Sequence, residues 1–387
     1  MNHAKLGHVC YFDPVTYPAV YNSANILVEK GWQVDVIGLD LYGFAGANFS
    51  SQVRLLRCGG GDWTGGGGLA QYVRFIRFVR QTARERRWDV VFGHDMMGFL
   101  AARLARVVPA ERVAFWSQDL AEPARLSPAK RCLYGLKRHF LRTCPLTIAP
   151  SAARADAMRT GLPLRGAPIV VYNSPRRDVR REYAGEWRER LGVGPKTLLG
   201  VYAGGIGRNR YVPELVESVR LWPPNTALVV AGYGRDDVMA EIRAAMESPA
   251  LKDRVSLVGH LPSAMSLIAE CDFGFSLFEM DPGHRNLEHR GLASNKFLEC
   301  LALGKPVAVS PNSETEDFIR QRQCGVCVAT PNPEGIARAV ASLLGDLKGF
   351  ERMGANARLA HETETHFEKR FDTVLAILAG GDLGARS

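Results

Sequence analysis

Short apolar runs alternate with amphipathic stretches along nearly the whole chain. Residues 8–12 (HVCYF), Gln33–Gly38, Val53–Leu56, Val90–Phe92, Val113–Trp116, Leu146–Ala149 and Ile169–Val171 each read as a buried strand. Between them, Ala19–Lys30 carries helical spacing and stops at Gly31. Leu69–Trp88 repeats that spacing through Tyr72, Phe75, Ile76 and Val79. Strand, helix and strand at this interval predict parallel βαβ units, here a sheet of about seven strands. The alternation restarts after residue 174. Thr197–Ala203, Ala227–Ala231, Val255–Val258, Phe273–Leu277 and Val307–Val309 are the strands, and Pro333–Leu344, Phe350–His361 and Glu368–Leu378 are helical.

Polar residues gather where these strands end, which is where open parallel sheets bind ligands. Ser294–Ser310 has the fullest pattern. Phe297, Leu298, Leu301 and Ala302 form one helical face, Gly304 and Pro306 stop the helix, and Asn295 is placed to cap its start. Lys296 and Glu299 lie three apart on that helix. They are either a solvated surface pair or part of an anion site at a helix N-terminus. Gly204-Gly205-Ile206-Gly207-Arg208-Asn209-Arg210 is a tight turn that departs from the dinucleotide fingerprint at its last position. Its glycines let backbone approach a phosphate and its arginines supply charge. In the first half, His94 follows the Val90–Phe92 strand and either donates structural hydrogen bonds or touches a reacting hydroxyl. Asp119 and Glu122 are carboxylates of unassigned role at the next strand end.

Charge changes the picture of the first half. The net charge is +9, but residues 1–172 hold 22 Lys and Arg against 12 Asp and Glu, leaving 27 against 28 for the remainder. Such a basic half attracts phosphates, anionic lipid or nucleic acid. Residues 69–88 and 130–142 combine arginines with an apolar face. Each is an ordinary core-packed helix with a solvated basic side, or a helix that rests on an anionic bilayer. No apolar run is long enough to span a membrane, and the N-terminal stretch does not resemble a secretory signal, so a cytoplasmic location is expected. The lone Cys324-Gly-Val-Cys327 lacks the second pair a zinc site needs. The glycine-rich stretch Gly59–Gly68 is a surface loop, or an acceptor-side loop with Trp63 as a lid.

Lys296, Glu299, Gly304, Lys305 and Pro306 resemble the nucleotide-sugar-binding helix of GT-B glycosyltransferases of the family 4 type. Ser294 stands where that motif has proline and Cys300 where it has tyrosine. The resemblance implies two Rossmann-like domains facing across a cleft. These would be an acceptor domain at 1–173, a nucleotide-sugar domain at 174–360, and a 361–387 helix crossing back. It implies a hydroxyl acceptor, lipid-linked in the reading that suits the basic half, and sugar transfer with retention. No metal or cofactor is expected beyond the nucleotide sugar. Donor binding would fall to Gly204, Gly205, Arg208, Arg210, Gly232, His260, Leu261, Ser294, Asn295, Lys296 and Glu299. Glu299 would hold the ribose, while Arg210 and Lys296, with His94 on the acceptor side, would serve the chemistry. A second glutamate common in the family falls on Gly291 here, so the contacts to the transferred sugar are left open. A sugar-nucleotide epimerase of the same fold is the alternative. A solute-binding protein would want an export signal, and no nucleic-acid module is present to make nucleic acid a partner.

Overall fold

The protein is described by a computed structural model covering residues 4–59, 68–179, 185–279, 285–311, 313–381 and 383. The proposed lid residue Trp63 lies outside these residues. Contacts divide the chain into two compact units. The first comprises Met1–Asn173, His284–Arg290 and Phe367–Ser387; the second comprises Ser174–Gly283 and Gly291–His366.

The first unit is built on a seven-stranded parallel sheet. Its strands are β1 (Lys5–Cys10), β2 (Gln33–Leu39), β3 (Arg54–Cys58), β4 (Val90–His94), β5 (Val113–Trp116), β6 (Thr147–Ala149) and β7 (Ile169–Val170), ordered β3-β2-β1-β4-β5-β6-β7. The continuous apolar runs follow from burial on both faces. On one face α1 (Pro18–Glu29) and the Phe367–Ala379 helix pack through Val20, Leu27, Phe367, Phe371 and Val374. On the other, α2 (Leu69–Arg86), α3 (Asp95–Ala105), α4 (Pro128–Leu141) and α5 (Ala152–Gly161) cover Val9, Ile37, Val91 and Phe115. The apolar side of α2 is spent on this core, since Tyr72, Phe75 and Val79 are buried. Its end is fixed by Asp35, which accepts from Trp88 Nε1 at 2.7 Å and Arg86 Nε at 2.9 Å.

The second unit carries a six-stranded parallel sheet. Its strands are β8 (Leu198–Ala203), β9 (Thr226–Ala231), β10 (Val255–Val258), β11 (Phe273–Ser276), β12 (Val307–Val309) and β13 (Gly325–Cys327), ordered β10-β9-β8-β11-β12-β13. The Asn295–Ala302 helix packs on β11 and β12 through fully buried Phe297, Leu298 and Leu301, the apolar face its spacing predicts. It ends as expected at Gly304, whose φ of +68° suits glycine. Its start differs from expectation. Asn295 is the first helical residue, and Ser294 occupies the cap position. The Ser294 hydroxyl is turned to Ser276, oxygen to oxygen 2.8 Å, so no side chain caps the helix. Cys324 is buried, Cys327 is half-buried, and both are free thiols.

Candidate active site

The second unit's site is assembled at the C-terminal ends of β8, β9 and β11. Pairing continues past the strand ends: Gly204 N–H donates to Ala231 O at 2.8 Å, and Ile206 N–H to Tyr233 O at 2.7 Å. Gly204 and Gly232 both sit in the region open to glycine, at φ of +146° and +147°. A Cβ on Gly232 would lie 1.8 Å from the Gly204 carbonyl oxygen, so the two turns can approach only with glycine at 232. Tyr202, fully buried, donates its hydroxyl to Gly205 O at 2.7 Å and holds the turn's shape.

Two cations meet over one ring here. The Lys296 ammonium lies 4.2 Å from the Phe278 ring centre and 4.9 Å from that of Tyr202. The Arg210 guanidinium lies 5.7 Å from Phe278 and against Gly205, where a Cβ would come within 3.2 Å of Nη1. The Arg210 guanidinium makes no hydrogen bond or ion pair among the described residues. Lys296 is 6% exposed, which excludes the solvated surface pair. Aromatic faces offset only part of the cost of burying an ammonium, and an anion bound here would offset more of it. The uncapped N–H groups of the Asn295–Ala302 helix add to the positive field.

One turn further along that helix, burial pushes the Glu299 carboxyl up to about 7, and Lys296 draws it partway back. Its carboxyl oxygens have no hydrogen-bond partner among the described residues. His260 packs against Tyr233 with ring centres 4.9 Å apart, at the ends of β10 and β9, and Leu261 beside it is half-buried.

Arg208 is directed elsewhere. Its guanidinium pairs with Glu241 at 2.6 Å and is 61% exposed. Gly204, Gly205, Arg210, Gly232, Ser294, Asn295, Lys296 and Glu299 do cluster around the β8–β11 strand ends. Sequence reasoning missed Phe278 and Tyr202, the aromatic seats of Lys296. The position of Phe278 just past a predicted strand was the available signal.

In the first unit His94 is fully buried. Its Nε2 is 2.9 Å from His8 Nδ1, its ring stacks on Trp116 at 5.3 Å, and Gln118 Nε2 approaches its Nδ1 at 3.5 Å. Burial lowers the pKa of His8 to about 3 and that of His94 well below the usual imidazole range, His8 adding to the latter. Both are therefore neutral, and in this geometry His94 presents no surface to a substrate. Asp95, next in sequence, adopts φ +51°. Among the described residues, no group of three or more His, Cys, Asp or Glu is placed to hold a metal ion, and no helix is long and apolar enough to cross a membrane.

Known proteins fit this arrangement. The family described as glycosyl transferases group 1 matches residues 184–360, and the glycosyl transferase 4-like domain matches residues 18–175. No curated protein sequence matches the chain at a significant level. Among solved structures, sucrose-phosphate synthase from Thermosynechococcus elongatus is 14% identical, with a TM-score of 0.75 over 98% of this chain and 99% of that one. HepE from Anabaena in complex with UDP-glucose is 16% identical, with a TM-score of 0.77 over 98% and 100%. WaaG, a glycosyltransferase involved in lipopolysaccharide biosynthesis, is 15% identical, with a TM-score of 0.67 over 97% and 100%. At such identities the structures speak to fold alone. With two family matches spanning most of the chain, two parallel Rossmann-like sheets, and paired cations at a glycine turn, this protein belongs to the family 4-like glycosyltransferases of GT-B fold.

Proposed function

We propose that the protein transfers a sugar from a nucleotide diphosphate sugar to a hydroxyl acceptor with retention. The observation that carries this reading is the pairing of Arg210 and Lys296 over Phe278, beside the glycine turn. There they would hold the diphosphate and stabilise the charge that grows on it as the glycosidic bond breaks. Glu299 would accept both ribose hydroxyls. The base would lie toward His260 and Leu261. Attack from the face of departure needs no enzyme nucleophile, and the departing phosphate oxygen can take the acceptor's proton.

Gly291 cannot contact the sugar through a side chain, and Glu279 would take that part. It directly follows Phe278, and its N–H donates to Asn209 O at 2.9 Å, between the two arginines. Its carboxylate is exposed and makes no ion pair among the described residues.

On the first unit, Arg74, Arg77, Arg80 and Arg84 of α2 and Lys130, Arg131 and Arg138 of α4 are exposed. With its apolar side in the core, α2 would meet an anionic membrane by charge rather than by insertion. That suits a lipid-linked acceptor and a peripheral place on the inner leaflet, tested by sedimentation with anionic against neutral vesicles.

The deciding experiment is a thermal-shift screen of UDP- and GDP-sugars, followed by product analysis with and without acceptor. Stabilisation by one nucleotide sugar, weakened in Arg210→Ala, is expected, with the donor's anomeric configuration kept in the product. An epimerised sugar formed without acceptor would replace this reading, and no stabilisation by any nucleotide would end it.

A further inference from the structure

The end of β5 carries a loop whose polar groups are fixed from four directions. Asp95 Oδ1 accepts from the N–H of Gln118 at 2.6 Å and of Asp119 at 3.1 Å. The Ser117 hydroxyl donates to Asp119 O at 3.0 Å. Arg154, reaching in from α5 and only 2% exposed, donates to Gln118 O and lies 3.3 Å from Asp119 Oδ1. Asn286 then closes the loop with both ends of its amide. Its Oδ1 accepts from Leu120 N–H at 2.7 Å, and its Nδ2 donates to Leu120 O at 2.9 Å. Arg154 Nη2 also reaches Asn286 O at 3.4 Å.

One group is left facing solvent. The Asp119 side chain is 64% exposed, although its own main chain is pinned and a buried arginine sits behind it. Burying a guanidinium is costly, and a surface loop needs no such support merely to turn. Burial, with the Asp119 charge second, pushes the Asp95 carboxyl up to about 7, which shows how close the two carboxyls are. A rigid, exposed carboxylate at the C-terminal end of a parallel strand is suited to accept hydrogen bonds from hydroxyl groups. Its geometry is set before any ligand arrives, so little ordering is left to oppose binding.

We infer that Asp119 binds the sugar-like hydroxyls of the acceptor, and that Arg154 and Asn286 are positioning residues for it. This rests on the transferase reading but is measured apart from it. The test uses saturation-transfer NMR with free glucose, mannose, galactose and N-acetylglucosamine, in the presence of UDP. UDP affinity is followed in parallel by calorimetry. At least one sugar should give signal with the wild-type protein. Asp119→Asn should weaken that sugar about tenfold, the scale of one hydrogen bond to a charge. Asn286→Ala should weaken it too, and Asn286→Gln, which keeps both amide groups, should recover part of the loss. UDP affinity should stay within twofold throughout. Because Arg154→Ala would leave two carboxylates uncompensated and could unfold the loop, Asn286 carries the positioning test. Equal sugar signal in Asp119→Asn, or no signal from any sugar with the wild-type protein, overturns the inference. Absence of UDP binding with sugar signal intact would overturn the donor reading instead.

Discussion

Glu299 gives the sharpest test of the donor site. Its carboxyl, raised to about 7, is half ionised at neutral pH in the empty protein. The ionised form accepts from two ribose hydroxyls through two charged oxygens, whereas the protonated form keeps only one good acceptor oxygen. At pH 6 about a tenth of molecules are ready, and at pH 8 about nine tenths, a ratio of about ten. UDP affinity should therefore rise about tenfold across that interval through this group. The UDP phosphate titrates nearby, so the comparison is the ratio of wild type to Glu299→Gln, in which the phosphate contribution cancels. At pH 8 the variant should bind UDP about a hundredfold more weakly, the loss of two hydrogen bonds to a charge at their lower range. Stability should move the other way. A carboxyl raised on folding contributes stability present below its unfolded value of 4.5 and lost as pH rises toward 7. Glu299→Gln should therefore match or exceed the wild-type melting temperature at pH 8. Calorimetric titration of UDP at the two pH values, with melting curves alongside, reads both effects. Equal UDP affinity in the variant, or an unchanged ratio between pH 6 and pH 8, would remove Glu299 from the ribose site.

Three further outcomes are expected. Arg210→Ala should lower turnover by about a hundredfold or more with the melting temperature nearly unchanged, whereas Arg208→Ala, which loses only its exposed Glu241 pair, should keep turnover within a few-fold; steady-state kinetics separate them. Gly232→Ala forces a Cβ to 1.8 Å from a carbonyl oxygen and should destabilise the second unit by more than about 4 kcal/mol, read by urea unfolding. His8 is held neutral to about 3, so its stabilisation is complete above the unfolded value of 6.5 and declines as pH falls below it. Between pH 7 and pH 4 the loss from His8 is about 3 kcal/mol, and the difference in urea midpoints between wild type and His8→Gln should shrink accordingly.

The sheets were legible because strands buried on both faces must be apolar throughout, as in Val113–Trp116 and Val255–Val258, whose predicted bounds match the structure. Gly304 was legible because a left-handed helix stop favours glycine. What escaped were contacts between residues far apart in sequence. His94 was left between a structural and a catalytic role because its partner His8 lies 86 residues away. Only the resemblance ranked Arg210 ahead of Arg208, since Glu241, which occupies Arg208, lies on a later helix. Asn295 had the right chemistry for a cap, but the Ser276 hydroxyl draws Ser294 and sets the helix start one residue earlier than a side-chain cap would. Asn286 offered no local signal, because its amide is matched to the backbone of Leu120.

The assignment of Phe367–Ser387 to the first unit has a practical reach for domain exchange. Phe371 stacks on Trp116 at 5.9 Å, and Phe367, Val374 and Leu378 belong to the same core. A fragment cut after Asn173 would leave that apolar face bare and would be prone to aggregate. Chimeras that graft a new donor specificity should therefore replace the second unit as an insert, keeping the parental 284–290 segment and the C-terminal helix with the first unit.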